Sequence, residues 1–308
     1  MPDSPPSAPI AFLNGKFLPF REAALPVFDL GVMQGATLTE RLRTIRHQPY
    51  LVTEHLDRLQ SGLHALGWQL PSSIANLDDV IQRVTDANAQ LISEDDDLAI
   101  VLFVTAGQHV PDANGLVSQS TPTVCVYTTP LPFHSWKPAH ESGVRLAIPS
   151  VRQLPADVLD PRLKHRSRLH WHLAGRQANE VEPAAWPLLL DDEGFVTETA
   201  SGNLFLVRDG RIQTPRAETT LGGIAQTQVI KFAEALGVPV QRADLTPDAL
   251  FTADEAFLTS STYCILPVSH LNGTRIGTNI PAPITKKLVD AWSQAVGLDL
   301  KAQILKQG

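Results

Sequence analysis

The chain has 308 residues, of which 43% are apolar and 19% charged, with a mean hydropathy of -0.03. This composition excludes a disordered protein, and the length predicts two domains because a single core stops growing at roughly 250 to 300 residues. A net charge of -7 argues against nucleic-acid binding, which needs a surplus of clustered Lys and Arg to neutralise phosphates.

Compartment and metal content can also be predicted from composition. Cys125 and Cys264 each lie in an apolar or β-branched stretch, which predicts free thiols in a reducing environment and no zinc site. The start MPDSPPSAP has no basic or apolar signal region, and no segment reaches the ~18 apolar residues that a membrane span requires. We therefore expect a cytoplasmic protein that binds neither membrane nor metal.

The first part of the chain predicts a mixed helix and strand domain. The Asn14-Gly15 pair is a strong turn signal between two short strands, which predicts a β-hairpin over 10–18. Further strands are expected over 38–45, 98–105 and 123–128. Helices are expected over 54–66, where Gly67 ends the helix, and over 76–88.

The composition changes at 128–138, where three prolines occur in eleven residues, and we expect an interdomain linker there. The predicted domains are then a small one over 1–127 and a larger one over 139–308. In the second, strands are expected near 144–148, 186–191, 195–197, 203–207, 238–242 and 255–259. Helices are expected over 169–179, 224–236 and 283–296. The fold class is α+β, because no regular βαβα alternation and no GxGxxG motif is present.

Lysine chemistry has few candidates, since the chain contains only eight lysines. Lys164 differs from the other seven because cations recur at every second position around it, at Arg162, Arg166 and Arg168. In an extended segment these side chains point to one face, and like charges there depress a lysine pKa. The alternative is a solvated basic strand edge.

Two further segments have the chemistry of an anion site. Gly222 and Gly223 directly precede a predicted helix, whose first N–H groups can bind an anion. The hydroxyl cluster over 259–262 follows a predicted strand and suits phosphate or carboxylate oxygens. Each segment has an ordinary alternative, a simple connection in the first case and a self-capped turn in the second.

Taken in order, these residues resemble the class IV aminotransferases, a family of fold-type IV pyridoxal-phosphate enzymes that includes D-amino-acid and branched-chain aminotransferases and aminodeoxychorismate lyase. The resemblance spans nearly the whole chain, and the ordered set is more specific than any single motif. It rests on the segments Leu13-Asn14-Gly15, 29–35 with Glu40, His55 to Leu59, Lys164, 195–205, Thr214-Pro215, 221–224 and 257–268.

The resemblance implies a two-domain fold with a barrel-like sheet in the larger domain, a bound pyridoxal 5'-phosphate and a homodimer. It implies that Lys164 is the internal aldimine lysine, which also moves the proton between Cα and C4′. Glu198 matches the carboxylate that pairs with the pyridine nitrogen, where an ionised group preserves the electron sink. Arg58 matches the phosphate-binding arginine.

The remaining cofactor residues implied by the resemblance lie in the second half of the chain. They are the supporting amide Asn203, the ring-packing Leu221, the phosphate-cup residues Gly223, Ile224 and Ala225, and the hydroxyls of Ser261 and Thr262. Ala225 stands where the family usually has threonine, so its hydroxyl contact is lost or comes from elsewhere, for example from Thr227.

Substrate specificity follows less directly. Arg168 and Leu169 replace the Asn-Tyr pair of branched-chain enzymes, and only three tyrosines occur in the chain, which argues against a tyrosine-rich pocket. His109 resembles part of a D-amino-acid carboxylate trap whose arginine is missing. Arg41, Arg43, His109 and Arg168 are therefore the candidates for binding the substrate carboxylate.

The leading hypothesis is a transaminase that moves the amino group of a small amino acid, of D-type or unusual specificity, to a keto acid. The first alternative is an aminodeoxychorismate lyase that releases pyruvate, since both reactions begin with loss of the Cα proton. The second is a pyridoxal-phosphate-binding protein without catalysis, which the pairing of Lys164 with Glu198 argues against.

Overall fold

The computed structural model of the chain describes residues 8–72, 74, 76–109 and 121–307. The chain forms two compact units. The first unit consists of Met1–Leu131 together with Leu163–Arg168, and the second of Pro132–Arg162 and Leu169–Gly308. The short segment that carries Lys164 therefore belongs to the first unit.

The first unit is built on a six-stranded sheet with the order β2-β1-β6-β5-β3-β4. Its strands are β1 (Ile10–Leu13), β2 (Lys16–Pro19), β3 (Thr37–Ile45), β4 (Gln48–Pro49), β5 (Leu98–Thr105) and β6 (Thr123–Pro130). Its helices are α1 (Leu30–Met33), α2 (Val52–Ala65) and α3 (Leu77–Ala89).

Alternation along the central strands gives this sheet two different faces. One face packs into the apolar core of the unit, to which Leu42 of β3, Leu102 of β5 and Val126 of β6 contribute. The opposite face carries Arg41, which is exposed.

The second unit holds the remaining strands and helices. The strands are β7 (Val144–Ala147), β8 (Trp186–Leu190), β9 (Val196–Thr199), β10 (Asn203–Arg208), β11 (Arg211–Thr214), β12 (Val240–Arg242), β13 (Glu255–Ser260), β14 (Cys264–Leu271) and β15 (Thr274–Arg275). The helices are α4 (Phe133–Ser142), α5 (Leu169–Val181), α6 (Ile224–Ala235), α7 (Pro247–Phe251), α8 (Pro283–Val296) and α9 (Leu300–Gln307).

Six strands of the second unit form a closed ring. The sheet runs β12-β11-β10-β13-β14-β7-β8-β9, and β9 also pairs with β10. The closing pair is Glu198 opposite Asn203. Closure thus brings two predicted cofactor residues side by side, and the α+β class with a barrel-like second sheet is confirmed.

Two local predictions that depend on glycine, the hairpin turn and the end of α2, are confirmed. Asn14 and Gly15 both have positive φ, 46° and 87°, as a two-residue hairpin turn demands. Gly67 follows α2 with φ 65°, a conformation that favours glycine after a helix end.

The proline-rich segment over 128–138 was expected to have almost no helical potential, and this expectation is wrong. A helix, α4, begins inside the segment at Phe133. Pro130 and Pro132 precede this helix, where proline costs little, and Pro138 lies within it. Phe133, Trp136 and His140 form its buried face. The domain boundaries at 127 and 139 stay a prediction.

Both cysteines are free and buried, as expected. Burial raises the pKa of the Cys125 thiol to about 12. Among the helices of the described residues, none has the length and apolar character needed to cross a membrane.

Candidate active site

Lys164 lies on a segment whose backbone is bound to β3. Its carbonyl oxygen accepts a hydrogen bond from Thr39 N–H at 2.8 Å, and His165 forms an antiparallel bridge with Leu38. Arg166 N–H donates to Thr37 Oγ1 at 3.0 Å, and Ser167 Oγ donates to the Gly35 carbonyl at 2.7 Å. The main chain at Lys164 is therefore held by its own carbonyl and by contacts of the three residues that follow it.

Exposure distinguishes Lys164 from most other lysines. All eight lysines lie in described residues, and all are exposed except Lys137 and Lys164, which are half-buried. The predicted four-cation face is only partly formed, because Arg162 turns back and donates to both carboxylate oxygens of Asp160 at 2.7–3.0 Å.

Arg58 is held by a buried carboxylate in the same unit. Its Nε and Nη2 donate to Glu40 Oε1 and Oε2 at 2.8 and 2.6 Å, a two-point contact that fixes the guanidinium plane. His55 Nδ1 lies 2.6 Å from Glu40 Oε2. Glu40 and His55 are each 1% exposed, so α2 contacts β3 through a buried triad.

The Glu40 carboxylate is ionised despite its burial. Burial alone would raise its pKa, but the hydrogen bonds and positive charge of Arg58, together with His55, outweigh this and lower the pKa to about 2. Burial lowers the pKa of His55 in spite of Glu40. In the neutral ring Nδ1–H donates to Glu40, and among the described residues Nε2 has no hydrogen-bond partner.

The triad predicts a pH-dependent stability. Because the folded pKa of Glu40 lies below its unfolded value of 4.5, its contribution is complete above about pH 4.5 and is lost as the pH falls towards 2. Glu40→Gln therefore lowers the free energy of unfolding at pH 7, by on the order of 3 kcal/mol. The difference from wild type shrinks on acidification in urea titrations between pH 7 and 3.

The matched control is Glu54→Gln, since Glu54 is an exposed carboxylate on α2, the helix that carries His55 and Arg58. It leaves the unfolding free energy within about 0.5 kcal/mol of wild type. A difference between Glu40→Gln and wild type that stays constant from pH 7 to pH 3 contradicts the assignment.

In the second unit, Glu198 accepts hydrogen bonds from donors on three separate segments. Leu221 N–H and Asn203 Nδ2 reach Oε2 at 3.2 and 3.3 Å, and Gln153 Nε2 reaches Oε1 at 3.4 Å. Gln153 was missed by the sequence reasoning, because it lies in a loop 45 residues before Glu198. These donors hold the Glu198 carboxylate at the joint where β9 pairs with β10 and closes the barrel.

The loop that leads into α6 is tied to the same joint. Asn203 Nδ2 also donates to the Leu221 carbonyl at 2.9 Å. Gly223 is the N-cap of α6 and no side chain caps this helix. A Cβ on Gly223 would overlap Asn203 Oδ1, so the backbone here has no room for a side chain. The helix begins with Ile224 and Ala225, whose N–H groups stand in its first turn.

The hydroxyl residues occupy the turn between β13 and β14. Thr262 is 5% exposed and its Oγ1 lies 3.3 Å from Ser260 Oγ. Ser261 is half-buried in the same turn. Thr227, the suggested replacement for the missing hydroxyl at Ala225, donates its hydroxyl hydrogen to the Gly223 carbonyl at 3.3 Å.

The four candidates for binding the substrate carboxylate differ in their burial and in the hydrogen bonds that they already form. Arg43 is 1% exposed and donates to Asp97 at 3.4 Å and to the Thr44 carbonyl at 2.9 Å, so its guanidinium group is already held within the first unit, and its role toward substrate stays a prediction. His109 is half-buried and its N–H donates to the Phe28 carbonyl at 2.9 Å. Arg168 is half-buried at the end of the lysine segment, and Arg41 is exposed.

A comparison with known protein families identifies the family of the chain. The model of the amino-transferase class IV family matches residues 37–271, and the chain belongs to that family. It is therefore a pyridoxal-phosphate-dependent transaminase, with amino acids and keto acids as substrates.

Particular relatives extend over nearly the whole chain. A Methanocaldococcus jannaschii protein, whose name places it among the branched-chain-amino-acid aminotransferases, is 36% identical over 286 residues, covering 91% of this chain and 94% of its own. The D-alanine aminotransferase of Bacillus licheniformis is 28% identical over 287 residues, covering 92% and 95%. The T.th. branched-chain amino acid aminotransferase, solved with pyridoxamine 5'-phosphate, superposes with a TM-score of 0.82 at 28% identity, covering 94% of each chain.

Proposed function

We propose that Lys164 is the catalytic lysine, and that the enzyme transfers the amino group of a small amino acid, of D-type or unusual specificity, to a keto acid. The observation that carries the proposal is the state of Lys164: half-buried, anchored through its own carbonyl to Thr39 and followed by Arg166. A lysine nucleophile requires a fixed position with restricted access to water, and the bound, half-buried Lys164 has both.

The residues present suit pyridoxal phosphate, which when bound supplies an electron sink for the negative charge formed at the substrate Cα. The chemistry of the donors supports this fit. Glu198 is a carboxylate held by donors from three segments and suits a protonated ring nitrogen. The uncapped helix start at Gly223, where a Cβ would overlap Asn203, suits a phosphate close to the backbone.

In this proposal each residue has a defined task. Lys164 would hold the cofactor, and its amine would take and return the proton of the substrate Cα. Arg58, oriented by Glu40, is assigned to phosphate binding in the first unit, and the N–H groups of Ile224 and Ala225 are assigned to anion binding in the second. Asn203 supports Glu198, and Leu221 packs against the ring.

Ser261 and Thr262 supply hydroxyl groups to the phosphate or the substrate carboxylate in the proposed site. Thr227 is not assigned to this task, because its hydroxyl donates to the Gly223 carbonyl. The phosphate therefore relies on the backbone N–H groups of α6 at the position of Ala225.

The preference against branched-chain substrates rests on the tyrosines. Tyr263 is 2% exposed and packs between Trp136 and Trp186, with ring centroids 5.9 and 6.1 Å away. It therefore serves the core of the second unit. This leaves Tyr50 and Tyr127 as the tyrosines available to a substrate pocket.

A substrate panel tests the specificity. Purified holoenzyme is assayed with D- and L-forms of alanine, glutamate, valine and leucine, with pyruvate or 2-oxoglutarate as acceptor. We expect a higher kcat/KM for a small D-amino acid than for L-valine or L-leucine. A clear preference for L-leucine contradicts the proposed specificity, and pyruvate release from aminodeoxychorismate without amino transfer supports the lyase, which the relatives named above do not favour.

Two further parts of the proposal concern the state of the protein. A homodimer is supported by exposed apolar side chains in one stretch of the first unit, among them Val27, Val32 and Met33. Light scattering that gives the mass of one 33.5 kDa chain contradicts it. The cytoplasmic location stays a prediction.

A further inference from the structure

The sheet face opposite the core of the first unit brings polar and aromatic side chains together. Arg41 of β3 pairs with Val101 of β5, and Val101 pairs with Tyr127 of β6. One step along, Phe103 of β5 pairs with Thr39 of β3. Since directly paired residues share a face, Arg41, Phe103 and Tyr127 lie on the same side of the sheet.

Arg166 joins this face from the lysine segment. The Cζ atom of its guanidinium group lies 5.2 Å from the centroid of the Phe103 ring, and its N–H is bound to Thr37 Oγ1. Leu163 packs into the core on the other side of the sheet. Successive side chains of this extended segment point to opposite sides, so His165 shares the side of Leu163. Lys164 and Arg166 therefore lie together on the other side.

Neither Arg41 nor Arg166 forms an ion pair with a carboxylate in the part of the chain that the structure describes. Two other arginines of the first unit differ, since Arg43 is paired with Asp97 and Arg58 with Glu40.

The two guanidinium groups also act on each other. Although Arg41 is exposed overall, partial burial of its guanidinium group lowers the pKa, Tyr127 opposes this, and the positive charge of Arg166 lowers it further. Two cations close enough to repel and without a counter-ion favour binding of an anion between them.

We propose that Arg41 and Arg166 together bind a carboxylate of the substrate. The guanidinium fork suits this task because it can donate two parallel hydrogen bonds to a carboxylate. This carboxylate is either the one on the substrate α-carbon or a second one on the substrate side chain. A guanidinium group recognises both in the same way. The inference rests on the proposed function in one respect, namely that Lys164 marks the reacting face.

The experiment uses the holoenzyme and four variants: Arg41→Gln, Arg166→Gln, Arg41→Lys and Arg83→Gln. KM and kcat are measured with alanine and with glutamate in the active configuration, and calorimetry measures binding of glutarate, a dicarboxylate that cannot react. Arg83→Gln is the matched control because Arg83 also stacks on an aromatic ring of the first unit, 3.9 Å from the centroid of Phe17.

We expect each Gln variant to raise KM and the glutarate Kd by about 10-fold or more, since a hydrogen bond to a charged group contributes about 1.5 to 3 kcal/mol. kcat changes little, Arg41→Lys has an intermediate effect, and Arg83→Gln has none. An equal rise in KM for alanine and glutamate identifies the α-carboxylate. A rise for glutamate alone identifies a side-chain carboxylate and an acidic substrate.

Unchanged KM for both substrates and unchanged glutarate affinity in both Gln variants overturn the inference. Circular dichroism confirms that each variant is folded, and Arg41→Lys, which keeps the charge, provides a second test where a Gln variant fails to fold. The two proposals can fail separately. If the wild type lacks transaminase activity while Arg41→Gln still weakens glutarate binding, the proposed function fails and the anion site stands.

Discussion

Lys164→Ala yields a folded protein that has lost its transaminase activity. We expect the rate of amino transfer to fall by about 10⁴-fold or more, because the proposed function assigns the transfer of the Cα proton to the Lys164 amine. The fold persists because the Lys164 carbonyl, the Arg166 N–H and the Ser167 hydroxyl, which bind this segment to the first unit, are all kept in the variant. Initial rates with the best donor from the substrate panel measure the loss.

Lys137→Ala is the matched control, since Lys137 is the other half-buried lysine and lies on α4 in the second unit. It retains wild-type rates. Borohydride treatment of the wild-type holoenzyme, followed by peptide mass analysis, is expected to fix the cofactor on the peptide that contains Lys164. A label on the Lys137 peptide, or a Lys164→Ala rate within 10-fold of wild type, contradicts the assignment.

Features determined by neighbouring residues could be predicted from the sequence. The hairpin at Asn14-Gly15 and the end of α2 before Gly67 depend on backbone conformations that these residues adopt at low cost. The bridge of His165 to Leu38 likewise agrees with the extended backbone expected from the alternating cations. In each case the physical cause lies within a few residues of the signal.

Features that depend on distant partners could not be predicted in this way. Arg43 is a candidate for substrate binding because it shares a strand face with Arg41, but its guanidinium group is buried and donates to Asp97, 54 residues away. The linker prediction weighed prolines locally, whereas Phe133 and Trp136 form a helix whose stability comes from the apolar surface that it buries. Tertiary burial overrode the local preference in both cases.

One missed interaction did have a signal in the sequence. Glu40 alternates with Leu38 and Leu42, so it falls on the core face of β3, where a charged side chain requires a partner. His55 and Arg58, at a spacing of three residues, stand on one face of a helix and can reach one carboxylate together. The register that joins them across 15 and 18 residues became known only from the structure.

Glu198→Gln is expected to lower kcat by about 10- to 100-fold while the protein stays folded. Gln has nearly the same shape, and its amide oxygen can still accept hydrogen bonds from Leu221 N–H and Asn203 Nδ2, so the joint between β9 and β10 is kept. The substitution removes the negative charge that, in the proposed function, keeps the ring nitrogen of the cofactor protonated. A charge-assisted hydrogen bond of about 1.5 to 3 kcal/mol sets the size of the effect.

The comparison that isolates the charge uses two more variants. Glu198→Asp keeps the charge on a shorter side chain and is expected to retain more activity than Glu198→Gln. If only the shape of the side chain mattered, Glu198→Gln would be the more active of the two. Glu193→Gln is the control, because Glu193 is an exposed carboxylate of the same unit whose Oε2 lies 3.4 Å from Arg216 Nη2, and it keeps wild-type kcat. Stopped-flow measurement of the first half-reaction separates loss of chemistry from loss of substrate binding. Equal rates for Glu198→Gln and wild type in that half-reaction would show that the carboxylate serves the barrel joint and not the ring nitrogen.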